Sequence, residues 1–182
     1  MIREWKNYHN TQKYNECQLI TAINAYHFLT GKIIKSDSKR YESLVDLCGA
    51  RHGAAICIEK VHKKLNLKIK NYMISPFSWR KDKKGFSEKI KNIKLPLEIS
   101  VWHKSCGYHS ALIIEYEPRT DAFRVANFKG VTNSQGWVFQ EDLQHYLKVN
   151  VGNRIRQSCP KCDKQELKWQ YRLFTLEKNS NV

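Results

Sequence analysis

The chain has 182 residues, 41% of them apolar and 12% aromatic, with a formal net charge of +15 at pH 7. This length allows one ordinary globular domain with a real core and excludes two large domains. The composition excludes a disordered or collagen-like chain, and the charge makes a polyanionic partner a candidate.

The first third of the chain has the sequence pattern of helices. Asn15 is a candidate N-cap, with Gln18 three residues later to complete a capping box, and the helix that follows is expected to end at Gly31. Apolar residues recur at helical spacing over 39–48 and 54–65. We therefore predict three helices before residue 66.

The pattern then changes to short runs with strand character. A turn at Pro118–Asp121 predicts a hairpin between the runs at 108–116 and 122–128. A short helix is expected over 140–147 and a last strand over 169–176. The four earlier strand candidates are 67–74, 97–103, 108–116 and 122–128.

Helices followed by antiparallel strands predict an α+β fold, with N-terminal helices packed on a C-terminal antiparallel sheet. We place the main domain at residues 1–150. Residues 151–182 are expected to form a basic C-terminal extension that holds a Cys-Pro-Lys-Cys knuckle and the last strand.

Cys17 lies in the first turn of the first predicted helix. The unpaired backbone N–H groups and the positive end of the helix dipole favour a thiolate there. Cysteine is also among the most often buried residue types, so a structural thiol is the alternative.

Three further residues support a catalytic role for Cys17. Gln12 lies five residues upstream, where its amide could form an oxyanion hole with the Cys17 N–H. His109 begins an apolar strand, and the turn that follows brings Asn127 on the next strand opposite it. A thiol, an imidazole and an orienting amide are the groups that nucleophilic thiol catalysis requires. His103 is the competing histidine.

This arrangement resembles the papain-like cysteine peptidases, most closely the compact bacterial branch that trims double-glycine leader peptides. The resemblance covers roughly residues 10–147 and includes an acidic, aromatic helix after a glycine-containing loop. The residues that carry it are Gln12, Cys17, the run Gly107-Tyr108-His109 and the run Val125-Ala126-Asn127.

The resemblance implies a papain-like fold and a thiol peptidase that needs no cofactor and acts on a peptide or protein. It assigns Gln12 as oxyanion donor, Cys17 as nucleophile, His109 as general base and Asn127 as the residue that orients the base. Two alternatives stay open. The same triad could transfer acyl groups, or an inactive papain-like fold could serve as a basic nucleic-acid-binding or viral structural protein of phage origin.

Cys159 and Cys162 form a Cys-Pro-Lys-Cys motif whose turn could aim two thiolates at one zinc ion. A tetrahedral site needs two more ligands. The candidates to complete it are Cys48 with His52, or Cys57 with Cys106. Two reduced thiols without a metal are the alternative.

Residues 60–94 hold twelve Lys or Arg against two acidic residues. Aromatic residues are interleaved with these charges, as in grooves that bind single-stranded nucleic acid. The segment predicts either a solvated lysine-rich face or a surface for an anionic partner.

No apolar run follows the basic residues of the N-terminus, and no stretch approaches 18 apolar residues. We therefore expect no membrane segment. The six cysteines are irregularly spaced, which predicts reduced thiols and a cytoplasmic protein.

Overall fold

A computed structural model describes residues 4–11, 16–52, 57–72, 89–103, 107–147 and 171–177. Its helices and strands form an α+β fold, as the order of sequence patterns predicts. The helices are α1 (Cys17–Thr30), α2 (Lys39–Cys48), α3 (Ile58–Lys64) and α4 (Gln140–Tyr146).

The ends of α1 and α2 follow local rules of helix termination. Gly31 and Gly49 have φ values of 76° and 74°, and their N–H groups bond carbonyls of the preceding turn. At the start of α2, the hydroxyl of Ser38 accepts a hydrogen bond from the Tyr41 N–H. The predicted end of α1 and the predicted span of α2 are confirmed.

Within the described residues, six strands form one antiparallel sheet in the order β1-β6-β2-β3-β4-β5. The hairpin predicted around Pro118–Asp121 is confirmed, because this turn joins β3 to β4. The short strand β5 is one that the sequence pattern did not indicate. The strands are β1 (Leu67–Tyr72), β2 (Leu97–His103), β3 (Gly107–Glu117), β4 (Ala122–Ala126), β5 (Trp137–Phe139) and β6 (Tyr171–Leu176).

The sheet is covered on both faces. Helices α1, α2 and α3 pack on one face, where Leu112, Ile114 and Phe174 contribute to a first apolar cluster. On the other face, Ile113 and Phe123 belong to a second cluster that includes buried residues of α4. Alternate residues of β3 therefore serve opposite cores, as the two-residue period of a strand requires.

The last strand lies inside the sheet. β6 pairs with β1 on one side and with β2 on the other, so its residues belong to the domain that we expected to end at residue 150. Residues 151–170, with the Cys-Pro-Lys-Cys motif, lie outside the described residues.

One ion pair is buried where β6 meets β2. Glu98 and Arg172 are directly opposite in the strand register, and the guanidinium donates to both carboxylate oxygens at 2.6 and 2.7 Å. Both residues are buried. Two charges removed from water this way neutralise each other and satisfy one another's hydrogen bonds.

Across the described ranges, none of the helices has the length and apolar character that crossing a membrane would require.

Candidate active site

Cys17 is the first residue of α1, as expected. It is half-buried and is not part of a disulfide. The N-cap position is held by Glu16, whose side chain makes no capping bond, while Asn15 and Gln12 lie outside the described residues. Cys17 thus lies at the N-terminal end of the 14-residue helix α1, where the helix dipole favours negative charge.

Asn127 lies where β4 ends, and it connects the strand to α1. Its side-chain nitrogen donates to the carbonyl of Cys17 at 3.3 Å and to the carbonyl of Ser110 at 3.0 Å. The residue is buried, with a left-handed φ of 61°. Asparagine tolerates this conformation better than most residues.

His109 lies at the start of β3, and its ring is fixed by Asn127. The ring Nε2 lies 2.5 Å from the main-chain oxygen of Asn127. A carbonyl oxygen can only accept, so Nε2 carries the proton and donates it. In the neutral ring the lone pair is therefore on Nδ1, the atom that would act as a base. The ring also stacks against Phe128, with centroids 6.4 Å apart.

The hairpin was expected to bring His109 and Asn127 together, and they are in contact. The contact uses the main-chain carbonyl of Asn127, whereas we expected its side-chain amide. The main-chain carbonyl of Asn127 binds the imidazole, while the side-chain amide binds Cys17 and Ser110. Asn127 has a left-handed φ, which redirects its main-chain carbonyl at the end of β4. This explains why the carbonyl, and not the side-chain amide, binds the imidazole.

Sequence reasoning missed two residues that hold these elements together. The Thr21 hydroxyl lies 2.8 Å from the carbonyl of Cys17 and 3.3 Å from that of Ser110. Asn10 accepts the main-chain N–H of Asn127 at 2.8 Å, which ties the N-terminal segment to the end of β4. The contact of Thr21 with Ser110 spans 89 positions and that of Asn10 with Asn127 spans 117, so no local pattern could have indicated them.

A buried carboxylate precedes Cys17. Glu16 has no exposed surface and accepts a hydrogen bond from the Tyr41 hydroxyl at 3.0 Å. Burial, together with the negative charge of Glu16 and this hydrogen bond, raises the pKa of Tyr41 well above its usual value. Tyr41 therefore stays protonated and remains a hydrogen-bond donor.

The remaining histidines have ordinary structural surroundings where these are described. His27 is buried with its ring edge against Tyr8. His62 is buried against Phe174, and its pKa is lowered, first by burial and then by the charge of Arg172. His145 is exposed. His103 pairs with Gly107 across the β2–β3 hairpin.

The cysteines differ in part from the expectation of reduced thiols. Cys17 and Cys48 are not disulfide-bonded, but Cys57 is, so the expectation is wrong for Cys57. In this state Cys57 has no thiolate to offer a zinc ion. Within the described residues no three side chains of the metal-binding types are grouped, and Cys159 and Cys162 lie outside them.

No protein-family model matches the chain, and no curated protein matches it. A cysteine at a helix start, together with an imidazole whose tautomer is fixed by a carbonyl, is suited to proton transfer from sulfur to nitrogen followed by nucleophilic attack.

Proposed function

We propose that the protein is a papain-like thiol peptidase that hydrolyses a peptide or amide bond. The observation that carries this proposal is the position of Asn127, which bonds the main chain of Cys17 and the ring of His109 at once. A single residue thereby fixes the nucleophile's helix relative to the base's strand. Catalysis through an ion pair needs this kind of preorganisation.

In the proposed mechanism, His109 takes the thiol proton at Nδ1, and the sulfur of Cys17 attacks the substrate carbonyl carbon. The oxyanion is held by the Cys17 N–H and, by the family resemblance, by Gln12. The imidazolium then gives its proton to the leaving amine. Water, deprotonated by His109, releases the acid and restores the thiol.

The test measures alkylation of Cys17 by iodoacetamide at pH 6, using peptide mass spectrometry on the full chain. A thiol with an ordinary pKa of about 8.5 is less than about 1% thiolate at this pH. We expect Cys17 to react at least about tenfold faster in the wild type than in His109→Gln. His145→Gln is the matched control, because His145 is an exposed histidine on α4.

Equal slow labelling in the wild type and in His109→Gln would contradict the ion pair and with it the peptidase. The second stage incubates the protein with a mixture of synthetic peptides and follows new termini. We expect cleavage by the wild type and none by Cys17→Ala. A reactive Cys17 without cleavage, but with transfer of acyl groups to an added amine, would favour the acyltransferase alternative.

An anionic partner is a second candidate, favoured by exposed lysines near the start of β1. Lys63, Lys64 and Lys68 are exposed, and among the described residues they make no ion pair. We expect retention on immobilised single-stranded DNA to fall steeply with salt. The triple replacement by Gln should reduce that slope by up to about 2, and an unchanged slope would contradict this surface.

A further inference from the structure

The N-terminal segment, residues 4–11, begins on the surface beside β5. The indole N–H of Trp5 donates to the carbonyl of Ser134 at 3.0 Å. The guanidinium of Arg124 lies over the Trp5 ring, 5.2 Å from its centroid. The ring also occupies the space beside Gly136, where any side chain would collide with it. The beginning of the segment is therefore anchored to β4 and to the loop that precedes β5.

The middle of the segment is bonded to α1. Asn24, a buried residue of α1, accepts the main-chain N–H of His9 at 2.9 Å and donates to the His9 carbonyl at 3.0 Å. The His9 ring donates from Nε2 to the carbonyl of Ile34 at 2.6 Å and stacks on Tyr41, with centroids 5.7 Å apart. Because one amide pairs with both main-chain groups of His9, the chain is fixed relative to α1 at this point.

Asn10, the next residue, is bonded to the end of β4. Its side-chain oxygen accepts the main-chain N–H of Asn127 at 2.8 Å, and its side-chain nitrogen donates to the carbonyl of Tyr8 at 3.3 Å. The amide of Asn127 also binds the carbonyl of Cys17. Helix α1 and the end of β4 are thus joined twice, once directly and once through the N-terminal segment.

Asn127 needs such contacts because its backbone conformation is uncommon. Its φ of 61° is left-handed, and a residue other than glycine stays there only where its surroundings hold it. The contacts that do so are the bond from its N–H to Asn10 and the bonds from its amide to Cys17 and Ser110. The same conformation directs its carbonyl to Nε2 of His109 at 2.5 Å. Loss of the bond to Asn10 would therefore loosen the carbonyl that fixes the imidazole.

We propose that Asn10 is a positioning residue that, through the main chain of Asn127, holds the His109 imidazole with its proton on Nε2. The inference rests on the proposed function, in which Nδ1 of His109 takes the thiol proton. Asn10 acts through its bond to the Asn127 N–H. The anchors of its segment keep Asn10 in place relative to α1, so the base and the nucleophile's helix are held in one frame.

The test is exchange of the His109 Nε2–H with solvent, followed by NMR on the ¹⁵N-labelled full chain. The main-chain amides of α3 report the stability of the whole fold and serve as the reference. In Asn10→Ala we expect the Nε2–H to quicken by at least about fivefold more than these amides do. Asn10→Asp keeps an acceptor oxygen and should restore exchange to within about twofold of the wild type.

Asn7→Ala is the matched control. Asn7 is an asparagine of the same segment whose main-chain N–H bonds the carbonyl of Glu4, and among the described residues its side chain makes no hydrogen bond. It should leave exchange of the His109 Nε2–H as in the wild type. Equal quickening of the Nε2–H and the α3 amides in Asn10→Ala would overturn the proposal, as would the same effect in Asn7→Ala.

Alkylation of Cys17 at pH 6, measured in the same variants, separates this proposal from the peptidase. The rate in Asn10→Ala should fall by at least about threefold, towards that of His109→Gln, because the base is no longer held in place. If wild-type labelling does not depend on His109, the peptidase is contradicted alone. Exchange of the Nε2–H needs no thiol and still decides the role of Asn10.

A second measurement uses the wild type and decides the matter if Asn10→Ala fails to fold. Low concentrations of urea should quicken exchange of the Asn127 main-chain N–H and of the His109 Nε2–H by the same factor, because one opening at the end of β4 exposes both. A His109 Nε2–H that exchanges faster with urea while the Asn127 N–H stays protected would overturn the proposal.

Discussion

Two regions of the sheet bury polar groups in opposite ways. The Asn127 region, formed by Cys17, His109, Ser110 and Asn127, is joined by neutral amide, carbonyl and imidazole groups. The Arg172 region, formed by His62, Glu98 and Arg172, holds opposite charges in direct contact. The difference teaches that protonation of Glu98 would break a buried ion pair, whereas the bonds that join the first region are made between neutral groups.

The largest expected effect is in the Arg172 region. Arg172→Met leaves the carboxylate of Glu98 buried without its ion-pair partner, and we expect the free energy of unfolding to fall by about 3–5 kcal/mol. The double replacement Glu98→Leu with Arg172→Met should recover most of this loss, because an apolar pair needs no compensation. Urea unfolding followed by circular dichroism measures both.

Arg119→Met is the control, since Arg119 is exposed in the β3–β4 turn. It should change the free energy of unfolding by no more than about 0.5 kcal/mol. If Arg172→Met cost as little as this, the contrast between the two regions would be lost, because Arg172 would then contribute no more than a surface charge.

The next effect is in the Asn127 region. Asn127→Gly keeps the left-handed conformation but removes the amide that binds the carbonyls of Cys17 and Ser110. We expect the free energy of unfolding to fall by about 1–3 kcal/mol, and alkylation of Cys17 to lose its dependence on His109. The same urea unfolding and the labelling assay at pH 6 measure these changes.

Asn133→Gly is the comparison variant, because Asn133 is an exposed loop residue whose side chain accepts hydrogen bonds from the nearby main-chain N–H groups of Gln135 and Trp137. It should leave the alkylation of Cys17 as in the wild type. A stable Asn127→Gly protein with wild-type labelling would show that the amide does not organise the site.

These two regions also differ in what the sequence could predict. The contact between His109 and Asn127 followed from one hairpin, because a turn at Pro118–Asp121 fixes which residues of β3 and β4 face each other. The atom that makes the contact could not be predicted. It depends on the left-handed φ of Asn127, which is set by contacts such as the one with Asn10, 117 positions earlier in the chain.

The Arg172 region could not be predicted at all. The spans of α2 and β2 followed from local periodicity, but the insertion of β6 between β1 and β2 is decided by pairing between distant segments. Nothing in the run around Glu98 indicates a partner 74 residues later. Strand order is a property of the whole core, and the sequence pattern specifies only the strands.

A third prediction uses pH to separate the regions. Burial and the Arg172 charge lower the pKa of His62, so the unfolded chain binds a proton there more readily than the folded protein does. The contribution of neutral His62 to the free energy of unfolding is fully present above about pH 6.5 and is lost as the pH falls below this value. We expect a loss of about 1.4 kcal/mol per pH unit, down to the lowered pKa.

His62→Leu should flatten this dependence, so that the difference between the variant and the wild type changes between pH 7 and pH 5. His145→Gln provides the control, because it also removes one histidine but from an exposed position on α4. Identical pH profiles for the wild type and His62→Leu would refute the assignment of this dependence to His62.

The smallest effect tests how far the Asn127 region extends. Ser38→Ala removes the hydroxyl that caps α2 at the N–H of Tyr41, and we expect the free energy of unfolding to fall by about 1 kcal/mol. The Tyr41 side chain, which binds Glu16, is held by its own packing and not by this cap. Alkylation of Cys17 should therefore keep its wild-type pH midpoint. A shifted midpoint would mean that the start of α2 is energetically part of the site.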